Sequence, residues 1–331
     1  MKIGNTMLIP QNIAPPKATS LAIFDGSTKV ATIDIAKMQR TNLGEKQYSV
    51  LLISDVHIPY DTATSDFNKA LTYADNDEDI AFTCISGDLT SAGTAAQLTE
   101  YKAIVDSHTK PVYAISGNHE ASEGAISFEA LEPYTGYPLY YSFEHNGDVY
   151  IMLGQHKWTQ LPFEENELQW LYETLEANRN KRCFVFYHMF PWGDCGNADG
   201  LYKENFFVAS YQAVFQSLLR HYKNTTLFHG HSHLKLYLQE LDERANFSNA
   251  QGYRSIHIPS LAAPRDDANR DGTYENVFAE SEGYIMEVYE NCIVLKGYDF
   301  IDDEHIPIAQ YCIDTTLQTV EANTFTSSTG A

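Results

Sequence analysis

Residues 49–57, Ser-Val-Leu-Leu-Ile-Ser-Asp-Val-His, set the reading of the whole chain. Positions 49–54 form a continuous, largely apolar run. A strand buried on both faces reads this way, because neither face needs polar side chains. The run stops on two ionisable side chains, Asp55 and His57. The same construction recurs downstream: the run at 80–86 ends in Ser86-Gly87-Asp88-Leu89, and the run at 111–116 ends in Ser116-Gly117-Asn118-His119-Glu120. Further strand patterns at 149–153, 182–188 and 225–229 bring His188 and then Gly230-His231-Ser232-His233. Helical periodicity lies between them, at 66–74 (Phe67, Ala70, Leu71 and Ala74 on one face), 94–107, 164–178 and 204–222. Strands alternating with helices predict an α/β fold around a mixed sheet. After residue 233 the texture turns β-rich, at 236–240, 253–258, 284–289 and 293–298, and no internal repeat is present. Open α/β sheets bind ligands beyond the carboxyl ends of their strands. The strand-end loops therefore line up Asp55, His57, Asp88, Asn118, His119, His188, His231 and His233 along one edge.

Composition narrows the class. The 331 residues carry 22 Lys and Arg against 44 Asp and Glu, a formal net charge of −22. Hydrophobic content of 44%, with 13% aromatic, excludes a disordered acidic polymer. The charge disfavours long nucleic acid and anionic membrane surfaces as partners. No apolar stretch approaches the ~18 residues of a membrane span, and residues 1–16 lack the apolar core of a secretory signal. Five cysteines at irregular spacing form neither a disulfide framework nor a CxxC knuckle. A reduced, cytoplasmic protein is the expectation. Residues 1–45 carry five basic and three acidic groups, leaving −24 for the rest. Two β-like segments there flank Asp25-Gly26-Ser27, so 1–45 is expected to be a small β appendage or arm. The main domain is expected at 46–300 and a C-terminal extension at 301–331, with the polar stretch from Thr315 fraying.

Carboxylates, imidazoles and an amide oxygen form the donor set for divalent ions such as Mn, Fe, Zn or Mg. No cysteine lies in the motifs, which excludes a thiolate zinc site there. An aspartate can bridge two ions, and the two histidines of His-x-His can serve different ones. Each motif alone has an ordinary explanation: Asp-x-His a surface coincidence, Gly-Asp a turn, His188 a hydrogen-bonded core histidine. The weight lies in five pieces in fixed order, each at a strand end.

In that order the motifs D-x-H, G-D, G-N-H-E, a lone His and G-H-x-H resemble the calcineurin-like metallophosphoesterases, over residues 48–300. The resemblance implies a four-layer sandwich of two mixed sheets between helices. It implies two divalent ions, one held by Asp55, His57, Asp88 and His233, the other by Asp88, Asn118, His188 and His231. It further implies hydrolysis of a phosphate ester by a metal-bridging hydroxide, with His119 at the leaving-group oxygen. The substrate is expected to be small, a mono- or diester. The alternative is a non-catalytic component, tethered to a phage or surface assembly, that keeps the fold. Purple acid phosphatases of this superfamily carry a tyrosine ligand three residues after the bridging aspartate; Ser91 stands there, which disfavours an iron–tyrosinate centre. His156, Trp192 and Arg265 are candidate substrate contacts, with packing or surface exposure the ordinary reading of each. Of the 44 acidic residues only Asp55 and Asp88 are implied ligands, so two bound divalent ions would make the site locally cationic inside an acidic protein.

Overall fold

The run at 49–54 folds into the end of strand β3 (Lys46–Ile53), and its side chains part to opposite faces. Val50 and Leu52 enter a core shared with Tyr150, Met152, Phe184, Phe186 and Phe228. Leu51 and Ile53 point the other way, into a cluster with Phe67, Ala70, Leu71 and Tyr101. That double burial is the physical origin of the unbroken apolar pattern. The computed structural model describes the backbone of residues 20–25 and 28–34, and residues 43–122, 124–126, 130–156, 163, 165–191, 193–196, 209–240, 246–266 and 275–320.

Two six-stranded mixed sheets stack face to face. In the first, β3 pairs in parallel with β4 (Ile80–Ile85), and β4 with β5 (Val112–Ala114). On its other side lie β14 (Glu282–Tyr289), β15 (Cys292–Asp299) and β16 (Glu304–Asp314), all antiparallel. The second sheet runs β10 (Phe247–Ser248), β11 (Arg254–His257), β9 (Thr225–His229), β8 (Cys183–Tyr187), β7 (Asp148–Leu153), β6 (Tyr140–His145). Its four central strands are parallel. Helices α1 (Ala63–Asn76) and α2 (Ala95–Asp106) cover the first sheet. Helices α4 (Glu165–Ala177) and α5 (Ala209–His221) cover the second, through Leu171, Leu175, Phe215 and Leu219. The order helix, sheet, sheet, helix is the four-layer sandwich. A one-turn helix α3 (Glu132–Thr135) precedes β6, and β12 (Arg265–Asp266) pairs with β13 (Glu275–Asn276) beside the sandwich. Strands β1 (Ser20–Asp25) and β2 (Thr28–Asp34) pair antiparallel with each other; the turn at Gly26-Ser27 lies outside the described residues.

Three expectations require correction. Residues 236–240 form a 3-10 turn, Leu236–Glu240, rather than a strand. Leu236 and Leu238 are buried around exposed Tyr237, which mimics strand alternation, but Leu238 N donates back to the Lys235 carbonyl. The first sheet continues past residue 300 through β16, which hid because Pro307 sits at its bulged register with β15, a placement an edge strand tolerates. The chain from Thr315 does not fray at once. Thr315 N donates to the Asn291 carbonyl, Gln318 N to Asn224, and Val320 is buried against the second sheet's helices. All five cysteines are buried, and none is in a disulfide. Among the described residues no helix is long and apolar enough to cross a membrane.

At the edge opposite the strand carboxyl ends, an ion pair clamps the sheets together. Arg182 donates to both oxygens of Asp148 at 2.9 and 2.6 Å, to the Tyr289 carbonyl at 2.7 Å and to Thr315 Oγ1 at 3.1 Å. Tyr48 adds a hydroxyl to Asp148 at 2.7 Å. Removing one partner strands the other charge in the interior. Asp148→Ala is expected to cost about 3–5 kcal/mol, read from urea unfolding. The Asp148→Ala/Arg182→Ala double variant should lose less than the two single losses together.

Candidate metal centre

Five strand ends from both sheets converge at one edge. β3 leads to Asp55 and His57, β4 to Asp88, β5 to Asn118 and His119, β8 to His188, and β9 to His231 and His233. Polar bonds join the sheets here: His231 N donates to Asp55 Oδ2 at 3.0 Å, and His188 Nδ1 to the Ser86 carbonyl at 2.6 Å. The local backbone is unusual. Of eight non-glycine residues with positive φ among those described, five are Asp55, His57, Asp88, His231 and His233, at 50° to 73°. Left-handed backbone is costly for side chains with a Cβ, and such strain concentrates at functional sites. Two glycines are there for clearance. A Cβ on Gly117 would overlap Asp88 Oδ1, and one on Gly230 would stand 2.5 Å from Asp55 Oδ2.

The side chains gather into two groups that share Asp88. Asp55, His57, Asp88 and His233 bring ligand atoms within 4.8 Å of one another, as do Asp88, His188 and His231. His233 Nε2 lies 3.0 Å from Asp55 Oδ1 and 3.1 Å from His57 Nε2. His188 Nε2 lies 3.0 Å from both Asp88 Oδ2 and Asn118 Oδ1, which adds the amide oxygen to the second group.

The donors suit divalent ions. His188 Nδ1 faces the Ser86 carbonyl and His233 Nδ1 faces the Ala263 carbonyl at 3.1 Å. Carbonyls only accept, so both rings carry the proton on Nδ1 and turn Nε2 inward, the arrangement typical of ligating histidines. Burial pushes His57 and His231 down to about 3, leaving neutral imidazoles with lone pairs to offer. Burial also works against the charge on Asp55 and Asp88, yet the surrounding histidines hold both well below the carboxylate range. At His188, burial is outweighed by the Asp88 and Asp55 carboxylates, which raise it to about 9. The interior field thus favours positive charge between the two aspartates.

The family model of the calcineurin-like phosphoesterases matches residues 48–235, from β3 through the last histidine motif. The chain belongs to this family. A purple acid phosphatase from yellow lupin (Lupinus luteus) seeds superposes with TM-score 0.58 at 15% identity, over 85% of this chain and 58% of that one. This chain therefore spans less than two thirds of the lupin protein. GAP50, the anchor in the inner membrane complex of Plasmodium, gives TM-score 0.54 at 14% identity, covering 84% of this chain and 91% of that one. At such identities the likeness establishes the fold. Comparison with curated proteins finds no match.

Around the two groups, this calcineurin-like phosphoesterase holds its remaining motif residues in different ways. His119 is one-third exposed, with Nε2 3.8 Å from Asp88 Oδ2 and Nδ1 2.5 Å from the Ser91 carbonyl. Its backbone N–H donates to Asp88 Oδ1 at 2.9 Å. Ser91, at the position of the purple acid phosphatase tyrosine, uses its hydroxyl on the His57 carbonyl at 2.8 Å. His156 is half-buried after β7, next to Gln155, whose N–H donates to the Ser116 carbonyl. Arg265 N donates to the His233 carbonyl at 2.6 Å, while its guanidinium donates to Asn276 Oδ1 at 3.1 Å. His156 and Arg265 stand outside the two donor groups, and Trp192 lies outside the described residues.

Sequence reasoning gave no role to several supporting residues. Glu120 is buried and accepts from Thr90 N and Oγ1 and from Gly117 N, tying the β4 and β5 loops together. It was visible as the fourth residue of Gly-Asn-His-Glu. His257 Nδ1 faces Asn246 Oδ1 and its Nε2 faces the Ser232 hydroxyl, each at 2.9 Å. That bond anchors the serine between His231 and His233; no local pattern announces it.

The clearance at Gly117 yields a test away from the ligands. Gly117→Ala must displace the Asp88 carboxylate shared by both groups. Wild-type protein should gain about 2.7 kcal/mol at a hundredfold excess of Mn2+ over its Kd, read as a rise in Tm that EDTA reverses. The Gly117→Ala protein should lose most of that rise and bind fewer ions per chain by calorimetry.

Proposed function

We propose that this protein hydrolyses small phosphate esters at a centre of two divalent metal ions. The observation that carries the reading is the pair of donor groups built on Asp88, with the ends of strands from both sheets supplying the remaining donors. In this reading Asp55, His57, Asp88 and His233 hold one ion, and Asp88, Asn118, His188 and His231 the other. Bound there, the ions supply a nucleophilic water at neutral pH and offset charge on the phosphoryl oxygens.

The chain's own residues do the rest. The Ser86 and Ala263 carbonyls fix the tautomers of His188 and His233, so substrate meets preoriented donors. His119 is the general acid. Its Nδ1 faces the Ser91 carbonyl, so the protonated ring would deliver its proton from Nε2, the atom 3.8 Å from Asp88 Oδ2. The backbone bond from His119 N to Asp88 Oδ1 keeps acid and shared carboxylate in register. Burial of Asp55 and Asp88 keeps bulk water from screening this charge. The complete donor set supports turnover over a purely structural role, because a retired site has no force maintaining five left-handed residues.

The test is hydrolysis of p-nitrophenyl phosphate and bis-p-nitrophenyl phosphate with Mn, Fe, Zn, Mg and Ni supplied in turn. Activity with at least one metal, abolished by chelation, is expected; none with any metal overturns the proposal. His119→Ala should lower kcat by about 10²–10⁴ with metal content unchanged. Full activity, or loss of the metals, would remove His119 from the acid role.

A further inference from the structure

Among the described residues only five large apolar side chains are substantially exposed, and two of them, Tyr60 at 42% and Phe278 at 36%, meet each other. Their ring centroids lie 5.4 Å apart at 51°. Tyr60 is one backbone hydrogen bond from a histidine of the first donor group, and Phe278 reaches the other through two hydrogen bonds. Tyr60 N donates to the His57 carbonyl at 2.7 Å, and the Tyr60 ring centroid is 6.4 Å from that of His57. Phe278 follows Val277, whose N–H donates to the Pro264 carbonyl at 2.7 Å. Pro264 in turn follows Ala263, whose carbonyl takes His233 Nδ1. Since His57 and His233 face each other at 3.1 Å, the two rings form a rim over that side of the centre.

We infer that Tyr60 and Phe278 form an aromatic subsite that binds a planar aromatic group, a nucleobase in the biological case, on the phosphoester. The inference rests on the phosphoesterase reading and names its substrate class. Three observations converge on it. Two partly exposed rings in contact present π-faces to solvent, and such surface becomes favourable when a flat ring covers it. Stacking tolerates any base because every base has a π-face. The rim adjoins His57, with the Tyr60 ring centroid 6.4 Å from that of the imidazole, so a group held on the rings lies on the same side as an ester at the first donor group. The acidic surface of the chain argues for a mononucleotide-sized ligand over a polymer.

The experiment compares substrate pairs with and without a base: the monoesters share a ribose 5′-phosphate ester, and the diesters share a p-nitrophenolate leaving group. For monoesters the pair is adenosine 5′-monophosphate and ribose 5-phosphate. For diesters it is thymidine 5′-p-nitrophenyl phosphate and methyl p-nitrophenyl phosphate. The wild-type enzyme, loaded with its best metal, should favour the base-bearing member at least tenfold in kcat/KM, mainly through KM. Tyr60→Ala and Phe278→Ala should each bring that ratio towards one, and Tyr60→Phe should retain it. A wild-type ratio near one, or a ratio that survives both alanine variants, overturns the subsite while leaving the phosphoesterase reading in place. Absence of turnover on all four substrates and both p-nitrophenyl esters overturns the two together. Equal losses on both members of a pair mark a structural role and also overturn the subsite.

Discussion

Two carboxylates buried away from the surface are the constraint on which the rest of the molecule depends. Asp55 and Asp88 are fully buried, and an uncompensated buried charge is costly enough to unfold a domain. Everything nearby answers that demand. Histidines from both sheets turn Nε2 toward the pair, the His231 and His119 amides donate to it, and Gly117 and Gly230 leave the room that its oxygens occupy. The left-handed backbone at the five donor positions is a further cost of the same arrangement. Packing of the four layers makes these costs bearable, because the strands that deliver the side chains are anchored on both faces.

Much of this was legible in the primary structure, for physical reasons that differ from motif to motif. The run at 49–54 announced a buried strand because both of its faces are apolar environments. The ligating types at the ends of five such runs announced an edge rich in donors, because parallel strands place their carboxyl ends together. The spacing of His231 and His233 allowed them to serve two groups, and the family resemblance implied which group each would join. What stayed hidden depends on contacts across sequence. β16 reads poorly because Pro307 interrupts it, and a bulge at the sheet edge absorbs the interruption. The Arg182–Asp148 clamp joins residues that carry no mark of each other. The anchoring of Ser232 by His257 requires β11 to lie beside β9. Tyr60 and Phe278 become a pair only when β12 and β13 fold back over the rim.

The two ends of the sandwich do opposite jobs with the same chemistry. At one end a guanidinium and a carboxylate neutralise each other inside the protein, and the result is a fixed clamp. At the other, two carboxylates stand among imidazoles of which burial keeps His57 and His231 neutral while the carboxylates raise His188, and the result is a field that favours a cation. The acidic surface does not contradict a phosphate-handling site, since under the proposed two-ion reading an ester at that edge would meet the charge of the ions together with the ligands.

The distribution of donors along the chain also governs the order in which the protein can be made. The first donor group draws on Asp55, His57, Asp88 and His233, so its last member leaves the ribosome long after its first. Throughout that interval the nascent chain carries two aspartates destined for the interior with none of the β9 histidines available to balance them. Under the proposed reading neither donor group is complete until β9 has emerged, so binding of ions by the full set is a late event in biogenesis.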